Sequence, residues 1–228
     1  MTPFELKWQK LLIVDDDPTT RLIVRKIAES FSMEVLPDAA DGGEAIDQIL
    51  NDPPQFILCD IMMEPMDGLS FLKAVRTGSE GIKRDLRVLI FSSLTASPYY
   101  GTALALDADA FLAKPIGPEE LSQKLVRCFS EPTPIREIEA YEVIQIPGKD
   151  YHLPWTVADQ NGQNSTTEES IGIIKSIEEL VEGDVLARDL CLTDGTLLLA
   201  ADMKLSSSLI SKLRDLSGLG KLSVAEVI

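Results

Sequence analysis

Histidine is almost missing from this chain. Of 228 residues only His152 carries an imidazole, which leaves no room for a histidine-kinase site, a His–Asp hydrolase or a zinc cluster; His152 itself reads as a packing residue. Cysteine is nearly as scarce. Cys59, Cys128 and Cys191 are odd in number and far apart, without metal spacing, so they read as reduced thiols in or near cores. Long apolar runs are lacking too: none approaches the ~18 residues of a membrane span. The amino terminus, Met1-Thr2-Pro3-Phe4-Glu5-Leu6-Lys7, has no apolar signal core, so the expected location is cytoplasmic, with no membrane partner. Positive charge is in deficit: 21 Lys and Arg against 37 Asp and Glu give a net charge of −16, carried as −7 over residues 1–129 and −9 over 130–228. An acidic surface on both halves argues against a phosphate-backbone binder, which needs a basic face.

What is present begins with one stretch, Phe56-Ile57-Leu58-Cys59-Asp60-Ile61-Met62-Met63-Glu64-Pro65-Met66-Asp67-Gly68. Four apolar residues in a row read as a strand buried on both faces, ending in a single carboxylate before a loop closed by Pro65 and Asp67-Gly68. The same pattern occurs upstream. Lys10-Leu11-Leu12-Ile13-Val14 is a strand ending in Asp15-Asp16-Asp17-Pro18, with Leu22, Ile23, Ile27 and Phe31 then recurring at helical spacing. Asp17 reads as a helix cap or a solvated charge. A short strand over residues 33–36 and a helix opened by Asp41-Gly42-Gly43 follow; the paired glycines make a turn, since no G-x-G-x-x-G is present. After Asp60 come a helix through Leu69, Phe71, Leu72 and Val75 and a strand over residues 87–91 closed by Ser92-Ser93. A helix over 99–106, a strand over 109–113 running into Lys114-Pro115, and a helix through Leu121, Leu125, Val126 and Phe129 complete the series. Five strand–helix repeats predict an α/β fold, a doubly wound five-stranded parallel sheet with its active loops on one edge.

At that edge the strand ends place Asp15 and Asp16, Asp60, Ser92 and Lys114 together. Three carboxylates held ~4–5 Å apart would repel by roughly 3–4 kcal/mol per pair at an effective dielectric near 20. A hard divalent cation relieves this, and an all-oxygen, solvent-accessible site suits Mg²⁺. Lys114 then offers a second positive charge and Ser92 a hydroxyl donor, a phosphoryl-acceptor arrangement.

These residues resemble the receiver domain of two-component response regulators, over about residues 9–129. The matching pieces are Leu12-Ile13-Val14-Asp15-Asp16-Asp17, Asp60 with Met63, Pro65, Met66, Asp67 and Gly68, the Ser92-Ser93 pair, and Lys114-Pro115. The resemblance implies a flavodoxin-like fold with Asp60 as phosphoacceptor, Asp16, Asp60 and the Met62 carbonyl binding Mg²⁺ directly, and Asp15 binding it through water. It further implies Ser92 in the place of a switch hydroxyl and Phe111 as the aromatic switch residue. A sensor histidine kinase or phosphotransfer protein is the implied donor, and catalysis is limited to the chain's own phosphorylation and dephosphorylation. One departure is visible: the family's Met-Pro is here Met63-Glu64-Pro65, with proline one place late.

Past Phe129 the pattern changes. The reading divides the chain into a receiver domain (1–130), a linker with a partly docked apolar segment (131–170) and a small α+β module (171–228). Glu131-Pro132-Thr133-Pro134 breaks the helix, residues 135–155 are too apolar for a free linker, and residues 157–170 are polar enough to act as a tether. In the module, residues 171–177, 185–192 and 196–201 read as strands, with Asp194-Gly195 as a hairpin turn. A helix follows from a Ser206 or Ser207 cap with Leu209, Ile210, Leu213 and Leu216 on one face, then a closing strand over 222–228. The stretches Ser176-Ile177-Glu178-Glu179-Leu180-Val181-Glu182-Gly183-Asp184-Val185-Leu186-Ala187-Arg188-Asp189 and Asp194-Gly195-Thr196-Leu197-Leu198-Leu199-Ala200-Ala201 resemble the small module found beside HD-GYP cyclic di-GMP phosphodiesterase domains. Two outputs stay open. One is a signalling adaptor that engages a downstream protein or a second copy. The other is a DNA-binding transcriptional regulator, less favoured because Lys204, Lys212 and Arg214 stand against Asp202 and Asp215 in an acidic half.

Overall fold

A computed structural model describes residues 6–93, 97–147, 172–193 and 195–228. Five apolar runs form one parallel sheet: β1 (Lys10–Val14), β2 (Glu34–Val35), β3 (Phe56–Cys59), β4 (Arg87–Ser92) and β5 (Ala110–Ala113), in the order β2-β1-β3-β4-β5. Both faces are covered, so successive residues go to opposite cores. Leu11, Ile13, Phe56, Leu58, Leu89, Phe91 and Leu112 pack with α1 (Pro18–Ser30) and α5 (Pro118–Ser130). Leu12, Val14, Ile57, Cys59, Val88, Ile90 and Phe111 pack with α2 (Gly42–Asn51), α3 (Gly68–Thr77) and α4 (Ser97–Ala105). The expected doubly wound fold is the observed one.

Helix starts follow their capping chemistry. Asp17 accepts from the Thr19 and Thr20 amides, Asp41 from Gly43 and Glu44, and Asp67 from Leu69 and Ser70, each satisfying donors that the first helical turn leaves open. One apolar reading of α1 is corrected. Leu22 and Ile23 are 52% and 51% exposed, and the helix buries Val24 and Ala28 instead, because adjacent apolar residues span more arc than the sheet can cover.

The segment after α5 folds back onto the receiver. Its α6 (Ile138–Glu142) lies on α3, where Lys73 Nζ donates to the carbonyls of Glu142 at 2.8 Å and Ile144 at 2.7 Å. Residues 148–171, which hold His152 and the expected tether, lie outside the described residues. Beyond them, β6 (Ile173–Ser176) pairs antiparallel with β9 (Val224–Val227), and β7 (Leu190–Cys191) with β8 (Leu197–Leu199), with α7 (Ser207–Gly218) between β8 and β9 in sequence. The expected strand over 185–192 is shorter than predicted: Val185 and Leu186 make isolated bridges to Lys204 and Val227, and only Leu190–Cys191 forms a ladder. Asp189 at the break accepts from the Ala201 amide, so a side chain takes a place that backbone pairing would have used. Cys191 is exposed rather than core. The module packs α7 on β5 and β8 on α4, and its Leu213, Leu216 and Leu199 join the apolar cluster that includes Phe111.

Candidate functional site

In the order β2-β1-β3-β4-β5 the chain reverses direction across the sheet between β1 and β3, and at such a switch point the loops at the strand carboxyl ends part to leave a crevice. Register fixes what stands there. Val14 pairs with Cys59, so Asp15 and Asp60 leave their strands level with one another; Cys59 pairs with Ile90, and Ser92 closes β4 beside Ala113. One ligand oxygen from each of Asp15, Asp16 and Asp60 lies within 4.8 Å of the others, with Asp15 and Asp60 buried and Asp16 exposed. Lys114 bridges the buried pair, its Nζ 2.6 Å from Asp15 Oδ2 and 2.7 Å from Asp60 Oδ2.

The other oxygens are held by backbone. Asp60 Oδ1 accepts from the Ile61 amide at 2.7 Å and Asp15 Oδ1 from the Asp17 amide at 3.0 Å. Burial raises the Asp15 pKa above the ordinary carboxylate value, with Lys114 working against that rise. Burial also works to lower the Lys114 pKa, but its hydrogen bonds to Asp15 and Asp60 more than offset this, and the ammonium is held above its ordinary value. Cys59, fully buried behind Asp60, is pushed well up by burial and then by the Asp60 and Asp15 charges, so it is a core thiol and no nucleophile at neutral pH.

The loop after Asp60 is shaped by Gly68. Its amide donates to the Ile61 carbonyl at 2.9 Å, and a Cβ there would stand 1.9 Å from the Asp60 carbonyl oxygen, so only glycine permits the approach. Met63 is buried, Met62 is half-buried, and Glu64–Pro65 is cis, as is Lys114–Pro115. Ser92 is buried at the end of β4, and the Lys114 amide donates to its carbonyl at 3.2 Å. Phe111 is 1% exposed, its ring edge-on to Tyr100 with centroids 5.8 Å apart. Asp15, Asp16, Asp60, Met62, Ser92 and Lys114 therefore stand at this edge, and Phe111 lies within β5, level with Ile90.

Tyr100 was not singled out from the sequence. Its phenol pKa is raised by burial and then by the Asp60 charge, which places it within the field of the acid cluster. The Tyr99-Tyr100 doublet gave no sign of which ring would turn inward; the structure buries Tyr100 and leaves Tyr99 half-exposed.

A family model described as the response regulator receiver domain matches residues 11–126. The chain belongs to that family. A nitrate/nitrite response regulator protein homolog of Haemophilus influenzae is 27% identical over 188 residues, covering 82% of this chain and 84% of its own length. Response regulator MprA of Mycolicibacterium vanbaalenii is 31% identical over 125 residues, 55% of this chain and 52% of its own, so the chain spans about half of that relative. Among solved structures, a CheY-like response regulator receiver domain protein from Methanospirillum hungatei superposes with a TM-score of 0.50 at 26% identity, over 55% of this chain and 96% of that one. The acid pocket of this receiver domain is compatible with Mg²⁺: its donors are all carboxylate oxygens, and exposed Asp16 leaves it open on one side. Among the described residues no helix is long and apolar enough to cross a membrane.

Proposed function

We propose that this response regulator takes a phosphoryl group onto Asp60 from a phosphohistidine donor and passes the signal on through protein–protein contact. The observation that carries the reading is the Asp15–Asp60–Lys114 cluster at the sheet's switch point. An Asp60 carboxylate oxygen attacks phosphorus, a P–O bond forms as the P–N bond of the donor breaks, and the imidazole leaves with the bonding electrons. Asp15, Asp16 and Asp60 would hold Mg²⁺ with the Met62 carbonyl, and the bound cation would supply charge neutralisation. Lys114 remains within reach of the transferred oxygens, and Ser92 offers its hydroxyl from β4. As Ser92 is drawn to the phosphoryl group, Phe111 turns into the space vacated.

The protein-contact output is supported by α7. A DNA reader would need this helix as a basic face, yet Lys212 is 3% exposed and Arg214 donates to the Glu178 and Leu180 carbonyls. Incubation with acetyl phosphate tests the acceptor assignment. Phosphate should be incorporated into wild type when Mg²⁺ is present, and not into Asp60→Asn; equal incorporation in excess chelator or by the variant overturns it.

A further inference from the structure

Among the described residues the strand borders are short or covered, with one exception. β2 and β7 are two residues long, and β8 lies under α4, where a Cβ on Gly101 would stand 3.5 Å from the Leu197 carbonyl oxygen. β5 is occupied by α7, whose Asp215, paired with Arg127 at 2.6 Å, accepts from the Phe111 amide at 3.1 Å. β9 has residues 185–187 along its outer side, bonded from the Ala187 amide to the Glu226 carbonyl and from the Ile228 amide to the Val185 carbonyl. β6 has β9 on one side and no strand on the other. Alternation along the antiparallel pair decides which groups that leaves. Ile177 donates to the Ser223 carbonyl at 3.2 Å, and Ile173 and Lys175 stand opposite Val227 and Ala225, so these residues turn their backbone groups toward β9. Ile174 and Ser176 turn theirs outward. The Ser176 amide is taken by Glu179 Oε2 at 2.9 Å, which leaves the N–H and C=O of Ile174 as a bare donor and acceptor on one residue. The Ile174 side chain is 70% exposed, and Val224 on the same face is 51% exposed. Charge does not defend this border: Lys175 is tied to both oxygens of Asp184 at 2.8 and 2.9 Å, and Glu226 is paired with Arg188 at 3.2 Å.

We propose that β6 is a self-association edge whose partner is β6 of a second copy of this chain, joined antiparallel about a twofold axis at Ile174. A residue set opposite its own copy in a hydrogen-bonded pair exchanges both N–H···O=C bonds, so the bare donor and acceptor of each chain are satisfied together. Such a contact is the same surface on both copies. This register places Lys175 against Ile173 of the second copy, so no lysine faces a lysine, and it lays Ile174 beside Ile174 with Val224 diagonal to the pair. A slip of one residue would oppose two lysines and call on backbone groups that β9 already uses. Because residues 185–187 border the far side of β9, the joined sheet closes at two copies. A seam built on a four-residue strand is a small interface, so association is reversible and depends on concentration. It requires neither Asp60 nor the acceptor chemistry.

The test measures the full chain by sedimentation equilibrium from micromolar to millimolar concentration, with the Ile174 amide followed by hydrogen-exchange NMR at both ends of that range. The mass should rise from one chain to two, and the Ile174 amide should exchange at least about tenfold slower in the concentrated sample. Ile174→Lys and Ile174→Glu each alter an outward side chain, and each should weaken the dimer at least about tenfold, because the twofold sets the new charge against itself. An equal mixture of the two variants should associate again as a heterodimer, since lysine then faces glutamate. Protection of the Ile177 amide reports that β6 and β9 stay paired; if either substitution removes it, the wild-type Ile174 rate decides. A wild-type chain that stays single throughout overturns the proposal, whether its Ile174 amide is open or protected by another part of the same chain. A dimer that both variants retain, or that forms with an unchanged Ile174 rate, puts the contact elsewhere and overturns it too. Folded variants whose mixture stays monomeric overturn the register through Ile174.

Discussion

At the scale of single residues, the site keeps Asp15 where burial disfavours its charge, and its stability should show it. Asp15 has a folded pKa above its unfolded value, so the folded chain binds more protons than the unfolded chain between the two, and stability falls as pH rises through that window. Below the ordinary value of 3.8 both states are protonated and the cost vanishes. Asp15→Asn should therefore stabilise the protein at pH 7, with the gain shrinking toward pH 3 in urea titrations run across that range. A substitution at Gly68 acts the other way. Gly68→Ala drives a methyl into the Asp60 carbonyl and should cost about 2 kcal/mol or more while lowering acetyl-phosphate labelling. These acids were legible in the sequence because each interrupts an apolar run, which marks a strand end without any knowledge of pairing. Asp215 and Tyr100 were not. What decides their roles is a partner far away in the chain, and no local pattern reports that.

At the scale of elements, α1 is the helix whose surface asks for a partner. Ile23 is half-exposed, and it lines a cleft of about 210 Å³ with Thr20, Val24, Phe91, Lys114, Pro115 and Ile116, immediately beside the acceptor cluster. On the proposed acceptor reading a phosphohistidine protein approaches over this ground, whereas acetyl phosphate need not. Leu22→Ser with Ile23→Ser should thus slow transfer from a cognate kinase about tenfold or more and leave labelling by acetyl phosphate unchanged; equal loss with both donors would mean damage to the site itself. A second element-level device is Arg76, fully buried on α3. It donates to the carbonyls of Arg84, Leu86 and Asp107, each at 2.8 Å, and to Asp109 Oδ2 at 2.9 Å. Arg76→Met removes the guanidinium paired with Asp109, which keeps the Val88 amide, and should cost about 3–5 kcal/mol in urea unfolding. Strands and helices of the receiver were readable because their periods are local. The strand predicted over 185–192 shortened to Leu190–Cys191 because Asp189 bonds across to Ala201, a side-chain choice that hydrophobic pattern does not encode.

At the scale of the whole molecule, the two ends of the chain share one apolar cluster through α7, β8, α4 and Phe111. A protein ended at residue 147 keeps the five-stranded sheet and the whole core beneath α1 and α5, so it should still label at Asp60; its thermal midpoint should fall by several degrees, roughly the effect of losing 1–2 kcal/mol. The position of the module was not legible, since its docking depends on a carboxylate meeting cations about ninety residues away in sequence. That docking has another consequence. A strand at the border of a sheet is a template on which a foreign strand can grow, and proteins blunt such borders with charge or cover. Here the cover is a helix and the charge is Asp215, which engages the very amide an intruding strand would seek. The module thereby guards the receiver against polymerising through its own sheet, and chains that lose it should gather into aggregates rich in β-structure.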